Sequence, residues 1–372
     1  MLLLLLFLLL FALLRFGVVV SNLVARQWLR RHTPQGVQRV SVLIPARNEE
    51  AAIVRLLRDI AGAELTPGLD IAEVIIYDDQ STDGTLEVVT REAERWDKIR
   101  VIRGEALPQG WLGKNHACHC LAREAAGDWL LFLDADVCVA PRFLSDAVGY
   151  AEKHRLDLLS LFPVQIMHSA GERMVVPLMN WILVSLLPLI LIRVCRWTSF
   201  SAANGQFMLF RASSYRPHLW HRQVKDHPVE DILICRLMKK SRLRVSTLLS
   251  GGQVSCRMYD GYRGAIGGFS KNLGQFFGNN LLWMAIFLLL TTLLPPFLLL
   301  SIFFLPPVAL PLLLAYFGVI LLIRVGVSLL SRQHLLRNLL FWPVQQVVLL
   351  ILAVRWIRFR SGRKIEWKGR AV

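Results

Sequence analysis

Asp134-Ala135-Asp136 sets two carboxylates one residue apart at the end of a short apolar run, Trp129-Leu130-Leu131-Phe132-Leu133. The run is too short for a helix and rich in strand formers, so it reads as a buried strand. Side chains alternate along a strand, which points Asp134 and Asp136 to the same side of its carboxyl end, where open α/β sheets place their ligands. Like charges this close repel unless a cation joins them, and hard divalent ions such as Mg2+ or Mn2+ favour oxygen ligands. The chemistry on offer is a metal site for a phosphorylated ligand, and the plainer reading is a strand-end turn with solvated aspartates.

Two more strand ends carry polar clusters. The first exits through Pro45-Ala46-Arg47-Asn48-Glu49-Glu50, and the second through Asp78-Asp79-Gln80-Ser81-Thr82-Asp83-Gly84-Thr85. An acidic side chain after a strand can accept hydrogen bonds from a ribose or a base. Ser81, Asp83 and Gly84 read as a tight turn capping the next helix, which leaves the aspartate pair before them unexplained. Further on, Glu230-Asp231 opens a helical pattern through Ile232, Leu233, Leu237 and Met238; taken alone, such an acid is a helix cap.

These residues need elements to position them. Residues 39 to 166 alternate strand-like segments (RVSVLIPA, AEVIIYDD, IRVIRG, DWLLFLDADV) with helix-like ones (EEAAIVRLLRDIAG, GTLEVVTREAERW, NHACHCLAREAAG). That alternation predicts an α/β domain with a mostly parallel sheet covered on both faces. His116-Ala117-Cys118-His119-Cys120 lacks the paired spacing of zinc sites and reads as part of a helix. The six scattered cysteines read as reduced, buried small residues of a cytosolic domain.

The chain has 372 residues, is 54% hydrophobic and carries a net charge of +16, with a mean hydropathy of +0.46. High hydropathy joined to strong positive charge points to a membrane protein with basic cytoplasmic segments. Nucleic-acid binding would not call for long apolar segments at both ends, so no nucleic-acid partner is expected. Residues 1–25 read as a retained anchor, with Arg26, Arg30, Arg31 and His32 placing the adjoining domain in the cytoplasm. Residues 175–197 are apolar but broken by Pro177, Asn180 and Pro188, which suggests an interfacial or substrate-facing segment, with a buried core helix as the alternative. A C-terminal membrane region at 281–356 begins with two spanning helices, at 281–330. A full crossing by the last run, 339–354, would put the basic tail at 357–372 outside, so that run is expected to be re-entrant or interfacial.

The motifs PARNEE, YDDQSTDGT and LDADV, in this order, resemble family 2 glycosyltransferases of the GT-A fold. Leu107 to Cys118, LPQGWLGKNHAC, is similar to a membrane-bound branch of hopanoid-associated and carotenoid-type lipid glycosyltransferases, with ceramide glucosyltransferases more distant. The resemblance covers about residues 38–275, a nucleotide-sugar-binding domain flanked by transmembrane helices. It implies an inverting, metal-dependent hexosyltransferase of a multi-pass cell membrane protein, moving a sugar from a nucleotide sugar, a UDP-sugar before others, to a lipid acceptor at the cytoplasmic face. On that resemblance Asp79 and Asp78 contact the nucleoside, Pro45 and Glu49 line the same pocket, and Asp134 and Asp136 hold the Mg2+ or Mn2+ and through it the diphosphate. Lys114 adds a positive charge against that diphosphate. Asp231, with Glu230, supplies the general base, and Gln206 and Asn204 line the acceptor or donor-sugar side. Polymerising relatives carry a QxxRW motif where this chain has Gln253-Val254-Ser255-Cys256-Arg257-Met258, without the Trp; this favours one sugar per acceptor, with Arg257 near the phosphates. The rival readings are a polyprenyl-phosphate or polysaccharide-type enzyme of the same family and a non-catalytic nucleotide-binding scaffold or transporter component.

Overall fold

Apolar runs of strand length, separated by helices with one apolar stripe, build a seven-stranded sheet in the order β3-β2-β1-β4-β8-β6-β9. The strands are β1 (Gln38–Ala46), β2 (Leu69–Asp78), β3 (Ile99–Arg103), β4 (Trp129–Leu133), β5 (Val137–Val139), β6 (Leu158–Phe162), β7 (Val164–Gln165), β8 (Phe207–Arg211), β9 (Val245–Leu249) and β10 (Val254–Cys256). This computed structural model describes residues 2–304, 306, 309–360, 366–367 and 370–371. Of the expected basic tail, Arg363, Lys364 and Lys368 lie outside the described residues.

The sheet is mostly parallel, as expected. β1 runs parallel to β2 and to β4, β2 to β3, and β6 to β9, while β8 runs antiparallel to both β4 and β6. Parallel strands are covered on both faces, and every residue of β4 is buried accordingly. Pairing of Ala46 with Asp78, and of Leu43 with Phe132, brings the carboxyl ends of β1, β2 and β4 to one edge. β10 pairs antiparallel with β5, Cys256 opposite Val137, so the register carries Arg257, the next residue, toward the end of β5 at which Asp136 lies. Helices Glu50–Ala61, Thr85–Arg95 and Gly113–Glu124 make the crossovers, and the last carries His116 to Cys120 as read from the sequence.

The chain divides into two compact units. One holds residues 27–164 and 189–257, with the sheet; the other holds 2–26, 165–188 and 258–360. The division cuts across the expected 38–275 domain, since 165–188 and 258–275 cluster with the apolar helices. Within 175–197, helix Pro177–Leu186 takes the buried alternative, every residue from Pro177 to Ser185 being buried.

Four helices of the second unit, Leu2–Val24, Leu281–Leu300, Leu310–Leu330 and Trp342–Arg360, are long and apolar enough to cross a membrane. Leu2–Val24 and Leu310–Leu330 run parallel: Leu5 and Leu8 share a cluster with Leu313 and Tyr316, and further along Val19 and Leu23 pack on Gly326. Pro295 has no N–H for the Thr291 carbonyl, and the helix relaxes there into a π turn, Leu289–Leu293. The Gln346 side chain meets this turn, accepting from Thr292 Oγ1 at 2.9 Å. Trp342–Arg360 begins part-way along the unit, where Arg324 lies over the Trp342 ring at 5.5 Å and donates to Gln345 at 2.8 Å. It finishes with Trp356 against Gly274 and Arg360 donating to the Asn279 carbonyl at 3.1 Å. Asn279 opens Leu281–Leu300, whose partner Leu310–Leu330 returns to the same end, so residues 331–360 start and finish at one end of the unit.

Candidate functional site

The loops after β1 and β2 are laced together, which explains much of their polar sequence. Asn48 takes a positive φ of 54° and Gln80 one of 55°, bending both chains sharply. Across the gap Arg47 donates to the Asp79 and Gln80 carbonyls, and the Asn48 side chain accepts from Thr82 N at 2.8 Å. Glu49 N donates to Thr85 Oγ1 at 2.8 Å, and Gly84 N to Glu50 Oε2 at 3.1 Å. Ser81 to Thr85 thus form the expected tight turn and clasp the β1 loop; the N-cap, Gly84, makes no side-chain cap, and Asp83 Oδ1 instead accepts from Thr85 N at 3.0 Å.

Behind the clasp lies a cavity of about 140 Å3 lined by Pro45, Arg47, Glu49, Asp79, Lys114, Asp134 and Asp136, with Ala46, Gly113, Ala117 and Ala135. Six of the expected site residues therefore share one wall. Asp78 does not line it; buried, it turns back and accepts from Ser81 N at 3.4 Å. Its neighbour Asp79 is the one at the cavity. Strand alternation also gives the wrong reason for the Asp134/Asp136 pair: β4 ends at Leu133, and Val137 N donates to Asp134 O at 3.4 Å. The two aspartates lie in a turn, and the turn brings both to the cavity.

Lys114 connects this wall to the acidic pair of helix Glu230–Lys240. Its ammonium lies 2.8 Å from Asp134 Oδ1 and 3.2 Å from Glu230 Oε1. Burial alone would favour the neutral amine, but Asp134 and Glu230 outweigh it and hold the Lys114 pKa well above the ordinary lysine value. The positive charge expected to face a diphosphate is here held between two carboxylates. Asp231 accepts from Gly205 N at 3.0 Å and Ile232 N at 2.7 Å. Burial, and then the adjacent Glu230 carboxylate, push its pKa up to about 7 against the pull of Lys114 and those two N–H groups.

Three residues with no role assigned from the sequence hold the arrangement. Gly205 leaves the space in which Lys114 and Glu230 meet: a Cβ there would lie 2.9 Å from Glu230 Oε1 and 3.0 Å from Lys114 Nζ. Asn115, fully buried, donates to the carbonyls of Val224 at 2.8 Å, Lys225 at 3.3 Å and His227 at 3.0 Å. Those carbonyls belong to the segment leading into Glu230, so one amide ties it to the helix of Lys114. Arg47 is the third, and the only sequence signal for it was its place in a strand-end loop.

Gln206 and Asn204 are buried behind the wall. Asp134 N donates to Gln206 O at 3.3 Å, the Gln206 amide donates to Cys256 Sγ at 2.9 Å, and Asn204 Oδ1 accepts from Gln206 N at 2.9 Å. Arg257 is exposed at the end of β10.

Residues 41–218 match the family model described as Glycosyl transferase family 2. The chain carries a family 2 glycosyl transferase domain. Among curated proteins the chain is similar to the 4,4'-diaponeurosporenoate glycosyltransferase of Staphylococcus haemolyticus, 26% identical over 253 residues that cover 66% of this chain and 63% of that one. A beta-monoglucosyldiacylglycerol synthase of a Nostoc species is 33% identical over 117 residues, 32% of this chain and 24% of that one. The matches thus span less than two thirds of the length of these relatives. Among solved structures, the mannosyltransferase from Pyrobaculum calidifontis in complex with GDP-Man and Mn2+ superposes with a TM-score of 0.53 at 19% identity, covering 94% of this chain and 99% of that one. The glycosyl transferase domain has the GT-A-like α/β fold.

Among the described residues no three His, Cys, Asp or Glu side chains converge as metal ligands. Asp134 and Asp136 nevertheless bring two carboxylates to one cavity, a hard oxygen donor pair that suits Mg2+ or Mn2+ when other ligands come from a bound phosphate or water.

Proposed function

We propose that this chain transfers a hexose from a nucleotide sugar, a UDP-sugar, to a lipid acceptor at the cytoplasmic face of the cell membrane, with inversion at the anomeric carbon. The observation that carries the reading is Lys114, whose ammonium joins Asp134 to Glu230 and so couples the donor-side wall to the acid pair that includes Asp231. Asp79, Pro45 and Glu49 bind the nucleoside side of the donor, and Lys114 and Arg257 face its phosphates. Asp134 and Asp136 hold a divalent cation, which when bound supplies Lewis-acid charge neutralisation to the diphosphate.

Asp231 takes the proton of the acceptor hydroxyl as its oxygen attacks the anomeric carbon. The new C–O bond forms as the bond to the diphosphate breaks, and the leaving group departs with that electron pair on the opposite face, which inverts the centre. An Asp231 pKa of about 7 suits this role, since a base works best when its pKa lies near the operating pH. A lipid acceptor is supported by the lipid-glycosylating names of the relatives and by the four apolar helices. Orientation is supported by Arg26, Arg332, Arg337, Arg358 and Arg360, which lie between the apolar helices or in the last turn of Trp342–Arg360 and favour the cytoplasmic side. On this reading residues 331–360 are re-entrant.

The test is transfer of label from radioactive UDP-sugars into a lipid extract by the full chain in nanodiscs. A labelled lipid that forms with the native protein and is lost in Asp231→Asn supports the reading. Undiminished product in that variant would overturn the assignment of the base, and no labelled lipid with any UDP-sugar would overturn the donor.

A further inference from the structure

Two arginines are buried in the helical unit, and among the described residues neither makes an ion pair with a carboxylate. Arg15 lies a little past the middle of Leu2–Val24, and Arg324 two thirds of the way along Leu310–Leu330. Their exposures are 6% and 3%, so neither guanidinium reaches solvent. Both stand over the same indole, Trp181, at 4.6 and 4.5 Å from the ring centre. Their hydrogen-bond partners are neutral: Arg15 donates to Ser185 Oγ at 2.6 Å, and Arg324 donates to Gln345 Oε1 at 2.8 Å. The Nε atom of each guanidinium is buried and makes no hydrogen bond.

An arginine always carries its charge, and a charge inside an apolar bundle is costly unless it is paired. Cation–π contact with Trp181 and neutral acceptors recover part of that cost. The second cation beside the same ring adds repulsion. An anion shared between the two would neutralise both and give the idle N–H donors a partner, and a guanidinium matches the planar carboxylate or the phosphate oxygens in bidentate fashion. At this depth the anion must arrive on an apolar chain.

We propose that Arg15 and Arg324, both set against Trp181, hold the carboxylate or phosphate of an anionic lipid inside the helical unit. The ligand class is an acyl or isoprenoid chain ending in such a group. Binding is read without any sugar donor, so this inference stands or falls separately from the transfer reaction.

The experiment measures thermal unfolding of the full chain in neutral detergent with sodium laurate, dodecyl phosphate, dodecanol or inorganic phosphate added. Laurate and dodecyl phosphate are expected to raise Tm where dodecanol and inorganic phosphate do not. Arg15→Gln and Arg324→Gln should each weaken laurate binding by roughly tenfold, the worth of one charge-assisted hydrogen bond, and Arg324→Lys should recover part of it. Equal stabilisation by dodecanol, or by inorganic phosphate alone, overturns the proposal, as does an undiminished laurate shift in both glutamine variants. Should the glutamine variants not fold, native mass spectrometry of the unmodified protein decides: a co-purified anionic lipid supports the site, and neutral or zwitterionic lipid alone overturns it.

Discussion

Lys114 Nζ lies 2.8 Å from Asp134 Oδ1, and the same ammonium reaches Glu230 at 3.2 Å on its other side. One cation thus stabilises two carboxylates that come from elements far apart in the chain. Replacing it with methionine keeps the length of the side chain and removes the charge, leaving two acids to face each other across Gly205. Lys114→Met is expected to lower kcat/KM for the nucleotide sugar on the order of 100-fold, the scale of removing one preorganised charge-stabilising group. Steady-state kinetics with varied donor would show it, and a change below about threefold would remove Lys114 from the site.

Asp231 titrates at about 7 because burial and Glu230 disfavour its charged form. In its proposed role as base it acts when ionised, so transfer should rise with pH through about 7 and level off above it. Stability runs the other way. An aspartate in the unfolded chain titrates near about 3.9, so between about 4 and 7 the folded state holds the extra proton and loses stability as pH rises. Asp231→Asn should abolish the rising limb of the rate profile and flatten the fall in Tm over that window, and rate measurements paired with thermal scans from pH 5 to 8 check both.

Asp136 is expected to act on binding more than on folding, because it sits in a turn at the cavity wall. Asp136→Ala should eliminate the divalent-cation dependence of UDP binding while leaving Tm close to native. Calorimetric titration of UDP with and without Mn2+ is the measurement, and metal-dependent heat of unchanged size in the variant would contradict the assignment.

Asn115 holds three backbone carbonyls with one buried amide. Asn115→Ala leaves those acceptors unpaired, at a cost of about 1–3 kcal/mol. Since the released segment leads into Glu230, kcat should fall more than donor affinity does. Denaturant unfolding gives the first quantity, and a comparison of kcat with the Kd of UDP gives the second.

Residues 331–360 start and finish at one end of the helical unit, with Arg360 beside Asn279. Single cysteines placed at Arg332 and Arg360, in a background with the native cysteines replaced, should both react with an impermeant maleimide from the same side of sealed vesicles. Labelling from opposite sides would instead mean that Trp342–Arg360 makes a full crossing.

The alternation of strands and helices, the parallel character of the sheet and the strand-end placement of Asp79, Asp134 and Asp136 were legible in the sequence. Periodicity and short-range turn chemistry are local, and these features depend on neighbours within a few residues. Even the Asp134/Asp136 pair shows the limit of this, because its shared direction comes from a turn whose geometry a period-two pattern does not contain. What only the tertiary structure decided are relations between distant segments. Lys114 meets Glu230 because Gly205 leaves room and Asn115 draws the approach to Glu230 onto its own helix, and neither requirement marks the local sequence. Asp78 and Asp79 look equivalent in the chain, yet pairing of Ala46 with Asp78 ends the strand there and turns only Asp79 to the cavity. Arg15 and Arg324 each stand inside an apolar run with nothing local to mark a partner, and only packing sets both against Trp181, because long-range burial depends on which helices become neighbours.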